Sequence, residues 1–278
     1  MNYSWSDSVV YLIQGRLDIV KGLLQEMSLG PNVFVLTWDK KFPINDLPRN
    51  IKEVFFPNST WAEGRNKILE EALSAFPKAE YFVFLDDDVR FERLSMYSFE
   101  KQLLKYRPKI AVPLCDRIIR EMSYSRHSVE RPIRHDQVMM AFHKSIFEEG
   151  IVLPIDTKFD KSSWWLTCEM NHYLIQKFYF QEILCFNEIV IRNSNHAHEN
   201  SGALFSFDKS QYKSRFTAIQ MDQVLSYIKE KHGSQDAMLD TIFQAEVLKR
   251  FRIVNLNRIH LENLFILIRK GEFSAGVS

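Results

Sequence analysis

Three consecutive carboxylates, Asp86, Asp87 and Asp88, follow directly after the apolar residues 81–85. An apolar run without polar alternation is typical of a central strand covered on both faces. The carboxylates would then lie at the carboxyl end of that strand, where open α/β sheets bind ligands. Because like charges repel, the carboxylates need a positive partner. A hard divalent cation that also binds a phosphorylated substrate would supply this positive charge. A solvated polar loop is the competing interpretation, and this segment alone favours neither.

The residues after the acidic run argue against two other Asp-rich sites. A phosphatase of the haloacid dehalogenase type needs Thr or Val two residues after its second aspartate, where this chain has Arg90. Its nucleophile also lies near the start of the chain. An EF-hand loop starting at Asp86 needs Asp or Asn at its fifth position and glycine at its sixth, where this chain has Arg90 and Phe91.

The composition excludes several classes of protein. The chain has 278 residues, of which 46% are hydrophobic and 26% charged, with a net charge of +1, so charge gives no case for nucleic-acid binding. The cysteines, Cys115, Cys168 and Cys185, are scattered, which favours a reducing compartment and offers no metal-binding spacing. No segment has the pattern of a signal peptide or a membrane span, so we expect a cytoplasmic protein.

Strand and helix patterns alternate around the carboxylates. Apolar runs predict strands at residues 9–13, 33–36, 54–56, 81–85 and 110–112. Apolar residues at helical spacing predict helices at 19–27 and 94–106. Between them, Thr60 and Glu63 match a capping box that opens a third helix, which Pro77 ends. This alternation predicts an α/β fold with a mainly parallel sheet and right-handed crossovers.

The second half of the chain has a less regular pattern. We predict a strand at 138–142, a short helix at 144–149, a helix at 169–178 and strands at 184–186 and 189–191. A polar loop with His196 and His198 follows. From about residue 216 the pattern is helical, with Val224, Leu225 and Ile228 as one stripe.

Taken in order, these segments resemble nucleotide-sugar-dependent glycosyltransferases of the GT-A type, particularly the family 2-like group, over about residues 9–202. The resemblance rests on the opening strand, loop and helix, on Arg65-Asn66 near a helix start, on the D-x-D of Asp86–Asp88, on Glu169 opening a helix, and on the His-containing loop. It implies a GT-A catalytic domain at 1–206, with a nucleotide-sugar half at about 1–113 and an acceptor half at about 114–206. A helical C-terminal extension would occupy 207–278.

The resemblance also implies a metal site and a general base. Asp88 would bind Mn²⁺ or Mg²⁺ directly, and Asp86 would bind the donor ribose or reach the metal through water. His198, or failing that His196, would complete the metal shell. Glu169, at a helix N-terminus, would take the proton of the acceptor hydroxyl.

Other polar residues would hold a UDP- or GDP-linked donor. Arg65 would contact the diphosphate or the base, Asp39 the base or ribose, and Asp87 would be structural or touch the sugar. Gln14 and Arg16 stand in the first loop, where Arg16 would reach phosphate. The chain departs from the family at Glu169-Met170, where Glu-Asp is common, and in the first loop, Gln14-Gly15-Arg16, an unusual form of the nucleotide-contacting turn.

The expected activity is metal-dependent, inverting sugar transfer to a glycan, lipid-linked or protein hydroxyl. A sugar nucleotidyltransferase is the nearest enzyme alternative, although it normally has a Gly-rich first loop. A non-catalytic sugar-nucleotide or glycan-binding module is the other alternative. Two later apolar stripes in the extension are formed by Ile242 with Phe243 and by Leu264, Phe265 and Ile268. Six basic residues accompany them: Lys249, Arg250, Arg252, Arg258, Arg269 and Lys270. A packing helix is the leading interpretation there, with a homodimer interface or peripheral membrane contact as alternatives.

Overall fold

A computed structural model describes residues 5–27, 30–43, 47, 51–116, 127–132, 135–161, 164–193 and 218–233. The strands within these ranges are β1 (Val9–Gly15), β2 (Val33–Thr37), β3 (Ile51–Phe55), β4 (Tyr81–Asp86), β5 (Val89–Arg93), β6 (Ile110–Cys115), β7 (Val129–Glu130), β8 (Met139–His143) and β9 (Ile183–Asn193). The helices are α1 (Leu17–Glu26), α2 (Trp61–Ala75), α3 (Met96–Tyr106), α4 (Ser145–Glu149), α5 (Trp164–Tyr179) and α6 (Ala218–His232).

All of these strands belong to one sheet. Its order is β3-β2-β1-β4-β8-β6-β9-β5, and β7 pairs with β9. Strands β1, β2, β3, β4, β6 and β9 point the same way, whereas β5, β7 and β8 run antiparallel to their neighbours. The predicted α/β class with a mostly parallel sheet is therefore confirmed.

The central strands are buried along nearly their whole length. Every residue of β1 is buried, as are the first five residues of β4, which explains the absence of polar alternation in both segments. The parallel pairing sets Gln14 of β1 beside Asp86 of β4. It also sets Gly15 beside Thr37 of β2. The carboxyl ends of these strands therefore meet at one edge of the sheet.

The helix signals read from the sequence agree with the observed caps. Thr60 accepts a hydrogen bond from the backbone of Glu63, and the Glu63 side chain accepts one from the backbone of Thr60, so the predicted capping box is present. Ser95 caps α3 in the simpler way, by accepting from the backbone of Ser98. In two of the three helices that precede β6, the side-chain oxygen of the N-cap residue itself therefore replaces a missing backbone acceptor.

The observed secondary structure differs from the predicted elements, or adds to them, in four places. Strand β5 is an addition, because exposed charged residues at an edge of the sheet give no strand pattern in the sequence. Helix α5 begins at Trp164 rather than at Glu169. The two short strands predicted at 184–186 and 189–191 are one strand, β9, whose register shifts where it pairs with β6. Strand β8 runs antiparallel to β4 and β6.

The chain divides into two compact units, residues 1–119 with 125–206, and residues 120–124 with 207–278. Within the second unit the structure describes α6, on which the predicted stripe of Val224, Leu225 and Ile228 is buried. The predicted boundary at residue 206 and the basic residues from Lys249 to Lys270 lie outside the described residues. None of the helices in the described ranges is long and apolar enough to cross a membrane.

Candidate active site

The candidate site lies at the edge of the sheet where β1, β2 and β4 end. Asp86 is the last residue of β4, and Asp87 and Asp88 form the turn into β5. Direct contacts connect Asp86 to Arg65 and Asp87 to Arg16. The structure therefore brings the acidic turn together with residues of the predicted donor site that come from two other segments of the chain.

Arg65 is a buried cation held by Asp86. Its side chain is 2% exposed, and its Nη2 lies 2.7 Å from Asp86 Oδ1. The guanidinium also packs over the rings of Trp61 and Phe84, at 4.3 and 5.4 Å from their centroids. A buried charge is tolerated when it is paired and hydrogen-bonded. Burial raises the pKa of Asp86, and the charge and hydrogen bond of Arg65 oppose that rise.

Asp87 fixes the turn against the first loop. Its Oδ2 accepts a hydrogen bond of 2.7 Å from the backbone N–H of Arg16. Burial raises the pKa of Asp87 to about 7, the Arg16 N–H opposes the rise, and the charges of Asp88 and Asp86 add to it. A Cβ atom on Gly15 would lie 2.2 Å from Asp87 Cβ, so only glycine allows this approach. The structural role considered for Asp87 agrees with these contacts.

The first loop and the start of α1 complete this side of the site. Asp39 Oδ1 accepts a hydrogen bond of 2.9 Å from the backbone of Leu17, so this exposed carboxylate stabilises the N-terminus of α1. The Arg16 side chain reaches Asp18 at 3.4 Å. Buried Gln14 donates from Nε2 to the Trp61 carbonyl at 3.2 Å. These residues lie at the predicted edge, and a contact with a donor stays a prediction for each.

Helix α2 connects this edge to the loop that precedes α5. Asp160 Oδ2 accepts from the Thr60 hydroxyl and from the backbone of Ala62 at 2.8 Å. The amide of Asn66 makes two hydrogen bonds to the backbone of Ile155, at 2.8 and 2.7 Å. Arg65 therefore binds the acidic turn, and the adjacent Asn66 binds this loop.

Gln137 is a site residue that the sequence reasoning missed. Its backbone carbonyl accepts from Arg65 Nη2 at 2.9 Å, and its side-chain Nε2 donates to the Cys168 carbonyl of α5. Its Oε1 accepts from Asn171 at 3.3 Å. The signal is a polar residue just before an apolar strand. The sequence does not show its importance, because only an antiparallel β8 brings the residues before its start to the carboxyl end of β4.

Glu169 lies in the second turn of α5 and is half-buried. The predicted position at a helix N-terminus is wrong, so the helix dipole no longer explains an ionised Glu169. Burial raises the pKa of its neighbour Cys168, and the smaller influences on that thiol come from the charges of Arg65, Asp86 and Glu169. The Cys168 carbonyl accepts from the Gln137 side chain, which connects this turn of α5 to the site.

The metal site predicted for this edge is described only in part. Asp88 is half-buried in the turn after β4, whereas His196 and His198 lie outside the described residues. Among the residues that the structure does describe, no three His, Cys, Asp or Glu side chains are grouped as a metal site. The chemistry of the turn nevertheless fits a hard cation, because Mg²⁺ commonly binds one or two carboxylates together with substrate phosphates.

Comparisons with known proteins support the fold. No family model matches the sequence, and no curated protein matches it. The chain is similar in structure to S. aureus TarS, with a TM-score of 0.51 and 9% sequence identity over 87% of this chain and 43% of that chain. It therefore spans less than half of TarS. The match to S. aureus TarS 1–349 in complex with UDP-GlcNAc has the same TM-score and identity and covers 72% of that chain. A glycosyltransferase involved in the glycosylation of the major capsid of PBCV-1 matches with a TM-score of 0.37 and 14% identity, over 66% of this chain and 93% of that chain. The TarS matches support the predicted GT-A-type glycosyltransferase fold.

Proposed function

We propose that this chain is a glycosyltransferase that moves a sugar from a nucleotide-sugar donor to a hydroxyl acceptor. The observation that carries the proposal is the acidic turn Asp86–Asp88, held at the carboxyl edge of a GT-A-type sheet by Arg65 and by the Arg16 backbone. Ligands of α/β sheets bind at this edge. The similarity to a TarS structure solved in complex with UDP-GlcNAc supports a nucleotide-sugar donor of the UDP class.

In this proposal the donor lies along the ends of β1, β2 and β4. Asp86, oriented by Arg65, accepts hydrogen bonds from the donor ribose. Gln14, Arg16, Asp39 and Arg65 surround the nucleotide. Asp87 supports the turn through the Arg16 N–H rather than through the sugar.

The donor diphosphate would lie against Asp88, together with a divalent cation. Asp88 would hold Mg²⁺ or Mn²⁺ directly. Asp86 would reach the metal through water as the alternative to its contact with the ribose, and His198 or His196 stays a prediction for a further ligand. When bound, the cation would neutralise the charge that develops on the departing nucleoside diphosphate.

Glu169 is the proposed general base. It accepts the proton of the acceptor hydroxyl while the acceptor oxygen forms a bond to the anomeric carbon. The bond from that carbon to the diphosphate oxygen breaks, and its electron pair leaves with the nucleoside diphosphate. Attack from the face opposite the leaving group inverts the anomeric centre. The acceptor is a glycan, lipid-linked or protein hydroxyl.

Release of nucleoside diphosphate from a panel of UDP- and GDP-sugars, with Mn²⁺, tests the proposal. We expect slow hydrolysis of at least one donor without acceptor, and loss of that hydrolysis in EDTA and in Asp88→Ala. Glu70→Ala is the matched control, because Glu70 is an exposed α2 carboxylate paired with Lys67. Binding of a donor without any turnover would identify a binding module instead. Full activity in EDTA would contradict metal dependence.

A further inference from the structure

Gln137 lies between the two halves of the candidate site and contacts both through buried groups. Gln137 is 8% exposed, and Arg65 and Asn171 are 2% and 3% exposed. Toward the donor side, its carbonyl accepts from the same Arg65 Nη2 that binds Asp86. Toward the acceptor side, its amide contacts Cys168 and Asn171, the residues that lie one before and two after Glu169.

From these contacts we infer that Gln137 is a positioning residue that sets the distance between Glu169 and the acidic turn. The inference rests on the proposed function, because it assigns Gln137 a task in sugar transfer. Both groups of the amide are used, since Nε2 donates to a helix carbonyl and Oε1 accepts from Asn171. A side chain with both groups engaged has one orientation, so α5 is held in one register relative to Arg65 and Asp86.

The expected consequence is kinetic. The distance between a general base and the donor affects the chemical step, and a displacement of about 1 Å can lower turnover by about a hundredfold. In the proposed function, donor binding depends on the ends of β1, β2 and β4 and on Arg65. The contact of Gln137 with Arg65 is made by its backbone carbonyl and not by its side chain. Substitution of the side chain should therefore lower kcat while leaving the donor KM nearly unchanged.

Gln137→Met tests the inference, because methionine keeps the length of the side chain and removes both hydrogen bonds. We expect kcat for transfer, or for donor hydrolysis, to fall at least about tenfold, with the donor KM within threefold of the wild-type value. Gln176→Met is the matched control. Gln176 lies on α5, two turns away from Glu169. Like Gln137, it is buried and its side chain donates a hydrogen bond to a backbone carbonyl, here that of Pro132. We expect this control to lower the Tm similarly and to leave kcat within twofold.

Gln137→Glu is the second variant, in case Gln137→Met does not fold. An ionised carboxylate keeps the acceptor for Asn171 and loses the donor to the Cys168 carbonyl, whereas a protonated carboxyl regains that donor. The ratio of its kcat to the wild-type kcat should therefore rise as the pH falls, a readout that a purely structural role would not change.

The outcomes separate this inference from the proposed function. An active wild-type protein whose Gln137→Met variant keeps kcat within twofold, or loses no more than Gln176→Met, overturns the role of Gln137 alone. So does a Gln137→Glu variant whose kcat ratio is flat with pH. A wild-type protein that neither binds nor turns over any nucleotide sugar overturns the proposed function, and the inference with it.

Discussion

At the scale of single residues, the acidic turn requires glycine at position 15, because Asp87 lies where a Gly15 side chain would be. A Cβ atom there would meet the Cβ, Cγ and Oδ2 atoms of Asp87 at 2.2 to 2.3 Å. Asp87 cannot move away without losing its hydrogen bond to the Arg16 N–H. We therefore expect Gly15→Ala to destabilise the protein by about 1–3 kcal/mol, measured by chemical denaturation.

Gly22 is the matched control for Gly15. It lies within α1, where an added Cβ would meet no atom within 4 Å. Gly22→Ala should stabilise the protein by about 0.5–1 kcal/mol, because alanine loses less conformational freedom than glycine in a helix. Equal effects of the two substitutions would contradict the proposed contact between Gly15 and Asp87.

Glu169→Gln tests the general base at constant shape. The amide cannot take a proton, so turnover should fall by about 10²–10⁴-fold while donor affinity changes little. Steady-state kinetics with a donor identified in the nucleotide-sugar panel would measure the loss, and NMR of the product would report the anomeric configuration. Near-normal turnover, or retained configuration, would reject the assignment.

At the scale of elements, Asp160 determines how α2 begins. Its carboxylate accepts from the Thr60 hydroxyl and the Ala62 N–H, and burial raises its pKa while these hydrogen bonds oppose the rise. Asp160→Ala should cost about 1–3 kcal/mol of unfolding free energy, because buried donors lose their acceptor.

Lys161→Ala is the control for Asp160. The Lys161 side chain is 81% exposed, and its ammonium group lies 3.7 Å from the Glu63 carboxylate. Surface pairs of this kind contribute about 0–1 kcal/mol. A loss as large as that of Asp160→Ala would show that the N-terminus of α2 is stabilised by charge rather than by the buried hydrogen bonds.

His143, the last residue of β8, makes the stability of the protein depend on pH. Burial lowers the pKa of His143, and its Nδ1 accepts from the Ser145 N–H at 3.3 Å. The folded protein therefore binds the proton more weakly than the unfolded chain does. The contribution of neutral His143 is complete above pH 6.5 and is lost as the pH falls through the lowered pKa.

His143→Asn isolates this contribution, because its amide oxygen can accept from Ser145 and does not titrate. We expect the unfolding free energy of wild type minus that of the variant to decrease as the pH is lowered below 6.5. Urea denaturation across that range would measure it. A difference that is constant with pH would contradict the assignment.

The sequence predicted elements better than it predicted their directions. The buried strands and the capping box were readable because apolar runs and Thr60-x-x-Glu63 are local signals. The antiparallel course of β8 depends on pairing between distant segments. Helix α5 begins at Trp164, five residues before Glu169, where the local sequence pattern predicted its start. For that reason the acidic turn was found from the sequence, whereas Gln137 was not.

At the scale of the whole molecule, donor binding should increase the free energy of unfolding. A ligand at about 100 times its dissociation constant adds about 2.7 kcal/mol to the unfolding free energy. A thermal shift assay with a donor and Mn²⁺ should raise the Tm, and EDTA or Asp88→Ala should remove the increase. An equal rise in EDTA would show that the donor binds without the cation.

The contact between Asn66 and Ile155 has a consequence for how this protein can diverge. Asn66 binds the loop before α5 through the main-chain N–H and carbonyl of Ile155, and neither group depends on the side chain at that position. Ile155 is itself buried at 4% exposure, so apolar substitutions at residue 155 leave the anchor in place, whereas proline would remove the N–H that donates to Asn66. During evolution one apolar side chain can replace another here while the two hydrogen bonds that tie the loop to α2 persist.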